Sequence, residues 1–203
     1  MTSDHGLPPD FLDQLRKLED AYCSEADPLR QSGFSGGPRR WRAERQPILN
    51  AVDADGDFLD VGCANGYLLE CLIKWAQQRG YSLMPHGLDF GARLIQMAME
   101  RFPRLSSNFH VGNAWEWHPR RKYRYVYSLC DCVPEPYLGE YFRRLLDRAV
   151  AHRGKLIVGM YGSRSRNIPP INLGGRLARL GFDIQGTAYG GTPPLTSFAW
   201  IVR

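Results

Sequence analysis

The sequence predicts an α/β fold in which helices cover both faces of a mixed, mostly parallel sheet. Two observations carry this prediction. From about position 58 onward, short apolar runs alternate with segments of helical period, which is typical of parallel strands joined by crossover helices. The last two runs are separated by a connector too short for a helix, so those two strands should pair antiparallel. The chain has 203 residues, which fits one domain with a short extension.

Seven runs are candidate strands, and they are bounded mainly by Gly, Asp or Pro. They span residues 58–62, 82–90, 107–112, 123–129, 154–161, 182–189 and 196–203. Between them, apolar residues recur at helical spacing, in stripes that include Leu72, Ile95 and Phe142. A shorter helix is expected around Leu173–Leu180, and Gly181 would end it.

A helical extension is expected over residues 1–52, before an α/β domain over residues 53–203. Apolar side chains from Phe11 to Tyr22 recur at the spacing of an amphipathic helix. A second helical stretch follows, and Pro47 should kink it or restart it.

The composition excludes several classes of protein. Hydrophobic residues make up 43% and charged residues 23%, which suits a folded domain. No run approaches the roughly 20 apolar residues of a membrane-spanning helix, so no membrane partner is expected. The N-terminus lacks the pattern of a signal peptide, which predicts a cytoplasmic location. The five cysteines are scattered and include no C-x-x-C pair, so neither a disulfide framework nor a metal site is expected.

The most informative segment is the glycine-rich turn after the first predicted strand, DVGCANG over residues 60–66. An acid, Asp60, precedes this turn and a predicted helix follows it, so backbone N–H groups would face a ligand there. A second acid, Asp89, ends the next strand in GLDF. The turn does not match the dinucleotide pattern G-x-G-x-x-G. An acid at Asp60 also suits a cationic ligand better than a pyrophosphate.

DVGCANG followed by GLDF resembles the class I S-adenosylmethionine-dependent methyltransferase family, over roughly Asp53 to the C-terminus. The resemblance implies a Rossmann-like, seven-stranded sheet whose last strand is antiparallel. It also implies S-adenosylmethionine as the cofactor and S-adenosylhomocysteine as its product. Ala64 stands where the family motif has its middle glycine. Asp60 suits the positively charged end of this cofactor, and the amides of the turn suit its carboxylate.

The resemblance places the cofactor-binding residues at the ends of the first four strands. Asp89 would accept the ribose hydroxyls, or would instead cap the next helix. Asn113 would meet the adenine amino group, and Trp115 would stack on the ring or belong to the core. The full predicted set is Asp60, Gly62, Cys63, Ala64, Asn65, Gly66, Asp89, Phe90, Asn113, Ala114, Trp115 and Cys130.

The loop after the fourth strand would face the transferring methyl group in this fold. Asp131 in that loop is the candidate general base or orienting group, with a capping or ion-paired role as the alternative. Tyr22, Trp41 and Tyr161 are the candidate substrate-binding residues, and the N-terminal extension would act as a lid.

The sequence therefore predicts a methyltransferase that acts on a small molecule by in-line displacement. Two alternatives stay open. The net charge of +5 and two arginine clusters, over residues 39–45 and 120–124, would also suit an RNA or protein methyltransferase. A catalytically silent module that only binds S-adenosylmethionine would carry the same glycine-rich turn.

Overall fold

The computed structural model describes residues 6–163, 168 and 172–203, and these form a sheet of seven strands with helices on both faces. The strands are β1 (Gly56–Val61), β2 (Leu83–Asp89), β3 (Phe109–Val111), β4 (Tyr123–Leu129), β5 (Val150–Tyr161), β6 (Gly186–Gly190) and β7 (Thr196–Val202). Their order across the sheet is β3-β2-β1-β4-β5-β7-β6.

The sheet is mixed, as the sequence predicts. The pairs β1–β2, β1–β4, β2–β3 and β4–β5 are parallel. Strand β7 runs antiparallel to both of its neighbours, β5 and β6. The carboxyl ends of β1, β2, β4 and β5 therefore lie at one edge of the sheet, where open α/β folds bind their ligands.

Two layers of helices bury the two faces of the sheet. The helices are α1 (Pro9–Cys23), α2 (Pro38–Arg45), α3 (Tyr67–Gln77), α4 (Ala92–Arg101), α5 (Leu138–Arg148) and α6 (Leu173–Arg179). Neighbouring residues of β1 point to opposite sides, since side chains alternate along a strand. Phe58 packs in one core with Leu72 of α3 and Ile95 of α4, whereas Leu59 packs in the other with Phe142 of α5.

Two strands begin four residues away from their predicted starts, whereas the other strand bounds differ by two residues at most. Strand β5 begins at Val150 rather than at Gly154, and its pairing with β4 is irregular where Arg153 adopts a φ of 57°. Strand β6 begins at Gly186 rather than at Phe182. Before it, Gly181 ends α6 with a φ of 86°, the left-handed conformation expected of a helix-terminating glycine.

The N-terminal segment consists of two parts that pack differently. Helix α1 has no fully buried residue and lies against α4, where the backbone N–H of Arg93 donates to Glu19 Oε1 at 2.8 Å. The second part, α2 and the 3₁₀ turn Gln46–Ala51 that contains Pro47, contributes Trp41 and Ile48 to the core. Helix α2 ends at Arg45 and the 3₁₀ turn begins at Gln46, so the helix type changes beside Pro47, where the sequence predicted a kink or a restart.

Candidate active site

Three adjoining cavities lie at the carboxyl edge of the sheet, and Leu129 and Asp131 at the end of β4 line all three. The turn cavity, of about 290 Å³, lies between α1 and the glycine-rich turn. The polar cavity, of about 390 Å³, extends from Tyr22 to Arg45 at the end of α2. The apolar cavity, of about 360 Å³, lies beside Met160 of β5.

The glycine-rich turn is built from residues in the left-handed conformation. Gly62, Ala64 and Gly66 have φ values of 88°, 46° and 73°. A side chain at Gly62 would be strained at this φ, and its Cβ would lie 3.1 Å from Cys132 Sγ. Ala64 can occupy its position because its φ falls within the small left-handed region open to L-residues, although at a cost of roughly 1–2 kcal/mol. Ala64 thus shares the left-handed conformation of the two glycines on either side of it.

Asp89 holds the turn against the segment that begins α4. Its Oδ2 accepts a hydrogen bond from the backbone N–H of Ala64 at 2.8 Å, and its Oδ1 accepts one from Gly91 at 2.8 Å. Desolvation raises the pKa of this carboxyl group, and the two N–H donors oppose the rise. Asp89 also lines the turn cavity, so it combines a structural contact with access to a ligand.

Asp60 is a buried carboxyl group without a partner. It is the last residue but one of β1, with 2% of its surface exposed, and no described residue donates a hydrogen bond to it or pairs with it. Burial raises its pKa to about 8, and the charge of Asp89 adds to the rise. A nearby cation would stabilise its ionised form, and the described residues supply none.

The remaining side chains of the turn face away from the cavity. Cys63 is buried and packs close to Gly87 in β2. Asn65 is completely buried, and its amide nitrogen donates to the carbonyl of Pro28 at 3.1 Å and to the Gln31 side chain at 3.0 Å. Its Oδ1 accepts from Ser32 Oγ and from the backbone N–H that begins α3. The Cys63 N–H donates to the Leu88 carbonyl at 3.1 Å, whereas no described residue accepts from the Asn65 N–H, so of these two residues only Asn65 has an unused backbone donor.

A smaller cavity of about 70 Å³ continues the turn cavity toward β3. Phe90 and Ala114, which the resemblance places beside the adenine, line it. Asn113 and Trp115, which the resemblance also places at the adenine, are not among the residues that line this cavity. Asn113 Oδ1 instead accepts the backbone N–H of Trp115 at 2.9 Å.

Trp115 belongs to the core, which is the alternative that the sequence left open. Its ring is 5% exposed, meets the Tyr137 ring edge-on with centroids 5.0 Å apart, and lies 4.5 Å from the Arg144 guanidinium. The hydrophobic gain from burying an indole on this face of the sheet explains its position.

Asp131 lies where the three cavities meet. It is open to the space of the cavities but surrounded by protein on most sides, and this desolvation raises the pKa of its carboxyl group. Tyr22 lines the turn and polar cavities, and Tyr161 lines the polar and apolar cavities. The Tyr161 hydroxyl lies 2.5 Å from that of Tyr127. The structure thus brings Asp131, Tyr22 and Tyr161 together around one space.

Two other residues of the predicted set do not lie where they were predicted. Trp41 is buried behind the polar cavity, where its Nε1 donates to Cys71 Sγ at 3.3 Å and its ring meets Phe34. It supports the wall of the cavity instead of lining it. Cys130 lines the apolar cavity, whereas Cys132, which the sequence did not single out, lines the turn cavity.

Arg45 lines the polar cavity, although it was not among the predicted site residues. Its burial could have been predicted from its spacing. Arg45 follows Trp41 by one helical turn and precedes Ile48 by three residues, so it continues the buried stripe of α2.

The described parts of the chain contain neither a metal-binding cluster nor a membrane-spanning helix. No three His, Cys, Asp or Glu side chains in them converge as metal ligands would. Nor does any of their helices have the length and apolar character needed to cross a bilayer.

No protein-family model and no curated protein matches the chain. Similar solved structures include a complex of DhpI with S-adenosylhomocysteine, at 19% identity and a TM-score of 0.60 over 99% of this chain and 98% of that one. A SAM-dependent methyltransferase from Geobacter sulfurreducens, also bound to S-adenosyl-L-homocysteine, is 17% identical with a TM-score of 0.57 over 86% and 74%. One from Aquifex aeolicus is 16% identical with a TM-score of 0.57 over 94% and 97%.

These likenesses span nearly the full length of this chain in two of the three cases, including its N-terminal helices. At such identities they establish the fold and leave the reaction to be argued from the site. The chain has the fold of the S-adenosylmethionine-dependent methyltransferases.

Proposed function

We propose that this protein is an S-adenosylmethionine-dependent methyltransferase that acts on a small molecule. One observation carries the proposal: Asp131 and Leu129 border the turn cavity and both neighbouring cavities. A residue that transfers a proton or orients an acceptor must touch the donor's space and the acceptor's space together. The shared fold supports the same proposal.

The glycine-rich turn and the residues of the turn cavity fit this cofactor. Asp60, which lies in β1 just before the turn and is not among the residues that line the turn cavity, would balance the ammonium group, and the unused N–H of Asn65 would bind the carboxylate. Asp89 would accept ribose hydroxyls, with Phe90 and Ala114 beside the adenine. Bound S-adenosylmethionine supplies a methyl group activated by the sulfonium sulfur. The unpaired carboxyl group of Asp60 is the feature of the structure that favours a cationic ligand.

The chain itself would supply orientation, a dry site and a proton acceptor. Helix α1 covers the turn cavity with Leu15 and Tyr22, which limits the access of water. The surrounding protein raises the pKa of Asp131, so its carboxylate is a stronger base than a free aspartate in water. Asp131 would accept the proton that the acceptor atom loses as the new bond forms.

The sizes of the cavities favour a small acceptor. The polar and apolar cavities measure about 390 and 360 Å³, within the range of roughly 300–1,000 Å³ for small-molecule pockets. The arginine clusters are partly neutralised. Arg40 pairs with Glu44 at 2.5 Å, and Arg124 pairs with Asp53 at 3.2 Å. Such internal pairs leave less free charge for the RNA phosphates that the alternative function requires.

Calorimetry with S-adenosylhomocysteine tests the binding step. The wild-type protein should bind it, and Asp89→Asn should weaken the affinity about tenfold or more, because a charge-assisted hydrogen bond contributes roughly 1.5–3 kcal/mol. Failure of the wild type to bind would refute the proposal.

The second step is tested by the release of S-adenosylhomocysteine during incubation with a panel of small hydroxy, amino and thiol compounds. Asp131→Asn should bind S-adenosylhomocysteine like the wild type and turn over about 10²-fold more slowly or worse. If the wild type and Asp131→Asn both bind S-adenosylhomocysteine and neither methylates any acceptor, the protein is instead a silent cofactor-binding module.

A further inference from the structure

The polar cavity contains a buried arginine that is held in place by aromatic rings. Arg45 is 4% exposed, and its guanidinium carbon lies 3.5 Å from the centre of the Tyr161 ring. The rings of Phe34 and Trp41 lie 5.1 and 5.0 Å from the same carbon. Cation–π contacts of this kind fix the position of the guanidinium before any ligand arrives.

The charge of Arg45 is only partly compensated. Its Nη1 lies 3.5 Å from Glu44 Oε2, at the limit of a hydrogen bond, while Glu44 Oε1 accepts a 2.5 Å hydrogen bond from Arg40 Nε. One carboxylate is therefore shared by two guanidinium groups. Arg45 Nε is buried without a partner, and no other described residue accepts a hydrogen bond from this side chain. A guanidinium has five N–H donors, so most of them are unused.

Three further charged residues line the polar cavity: Arg40 and Glu44 of α2, and Asp131, which also lines the other two cavities. The hydroxyl-bearing side chains of Tyr22 and Ser35 line it as well. Two arginines and one glutamate leave a net positive charge on the side of the cavity formed by α2, while Asp131 supplies an acid. A desolvated cation is costly while its pairing is incomplete, and a further anion would complete the pairing of Arg45.

We propose that the polar cavity binds an oxyanion of the methyl acceptor, a carboxylate, phosphate or phosphonate, on Arg45, with its nucleophilic atom toward Asp131. This inference rests on the proposed function and names the substrate class of the same site. A planar guanidinium suits such groups because it can donate two parallel hydrogen bonds. A neutral analogue would leave the buried donors unpaired, so the site should reject the ester or amide of an accepted acid.

Anion binding to the wild-type protein is the first test. Inorganic phosphate, methylphosphonate and acetate are titrated by calorimetry into protein saturated with S-adenosylhomocysteine, at an ionic strength held constant with chloride. At least one of them should bind saturably. If none binds above the chloride background, the inference is overturned.

Variants of α2 provide the second test. Arg45→Gln should weaken the binding of that anion at least tenfold, and Arg45→Lys should weaken it less, because the charge remains while the fork is lost. Arg39→Gln removes the same charge from an exposed position outside the cavity and should bind like the wild type. Equal loss in Arg39→Gln and Arg45→Gln would indicate a diffuse surface effect and overturn the inference. If Arg45→Gln does not fold, Arg45→Lys and Arg39→Gln decide the same question.

The carboxylate of the cofactor carries the same chemistry, and the affinity for S-adenosylhomocysteine distinguishes the two sources. Arg45→Gln, or Arg45→Lys in its place, should change that affinity no more than about twofold. A tenfold loss would assign Arg45 to the cofactor and overturn the inference. A wild-type protein that binds S-adenosylhomocysteine but no anion refutes this inference alone, whereas one that binds no S-adenosylhomocysteine refutes the proposed function.

Discussion

Substitution of Asp60 by asparagine should stabilise the empty protein at alkaline pH and weaken its binding of the cofactor. Asp60 has a pKa of about 8 in the folded chain because it is buried. In the unfolded chain an aspartate has a pKa of about 3.9. Between these two values the folded state holds a proton that the unfolded state has released. The free energy of unfolding therefore falls as the pH rises through this window, and it levels off above about pH 8.

The size of the effect follows from the two pKa values. Between about pH 6 and pH 8, this one group should remove about 2 kcal/mol from the free energy of unfolding. Asp60→Asn is nearly isosteric and cannot ionise, so it should lack this part of the pH dependence. The other acids, including Asp89 and Asp131, are present in both proteins and largely cancel in the difference.

Urea unfolding of both proteins at the two pH values measures that difference. The stability of Asp60→Asn relative to the wild type should increase by about 2 kcal/mol from pH 6 to pH 8. Asp183→Asn, at an exposed position, should keep the pH dependence of the wild type. The reasoning from burial is refuted if the two proteins differ in their free energy of unfolding by the same amount at pH 6 and at pH 8. Calorimetry should show about a tenfold loss of S-adenosylmethionine affinity in Asp60→Asn, because the ammonium group loses a charged partner.

Two further predictions concern the support of the turn and its cover. Asn65→Ala should lower the free energy of unfolding by about 3 kcal/mol in a urea titration, since it leaves the buried hydrogen-bonding groups of Pro28 and Tyr67 unsatisfied. Asn50→Ala is the control: it removes one exposed hydrogen bond and should lower the free energy of unfolding by under about 0.5 kcal/mol. Removal of residues 1–23 should leave a folded chain, since Leu7 is the one buried residue in the described part of that segment, and should weaken S-adenosylhomocysteine binding. An unchanged affinity in calorimetry would show that α1 is not a cover for the cofactor.

The sheet could be predicted from the sequence because strands buried on both faces leave continuous apolar runs. The start of β5 could not be predicted in this way, because it lies before the apolar run of that strand. Only Val150 is fully buried there, while His152 and Arg153 are exposed, so the first residues of that strand show no apolar run. The parallel and antiparallel pairings could be predicted because the sequence shows how many residues connect two strands. A parallel pair needs a connection long enough for a crossover, whereas an antiparallel pair can be joined by a short turn.

The positions of individual side chains at the site were harder to predict, because residue type does not show which side of a turn a side chain faces. Asn65 lies within the cofactor motif, yet its amide binds Pro28 and Gln31, more than thirty positions earlier in the chain. Such long-range contacts have no local signal. Arg45 stood among exposed arginines, and its burial shows only when its spacing from Trp41 is considered.

Two buried ionisable side chains of opposite type have incomplete partners. Asp60 is a buried acid without a cation, and Arg45 is a buried cation that shares one carboxylate with Arg40. Arg45 lowers the stability of the empty protein because a desolvated cation is costly when it is incompletely paired, whereas Asp60 avoids this cost by keeping its proton up to about pH 8. The phosphates of a dinucleotide would disfavour the ionisation of Asp60 still further. A cationic methyl donor would stabilise ionised Asp60 and an anionic acceptor would complete the pairing of Arg45, with the reacting atoms meeting at Asp131.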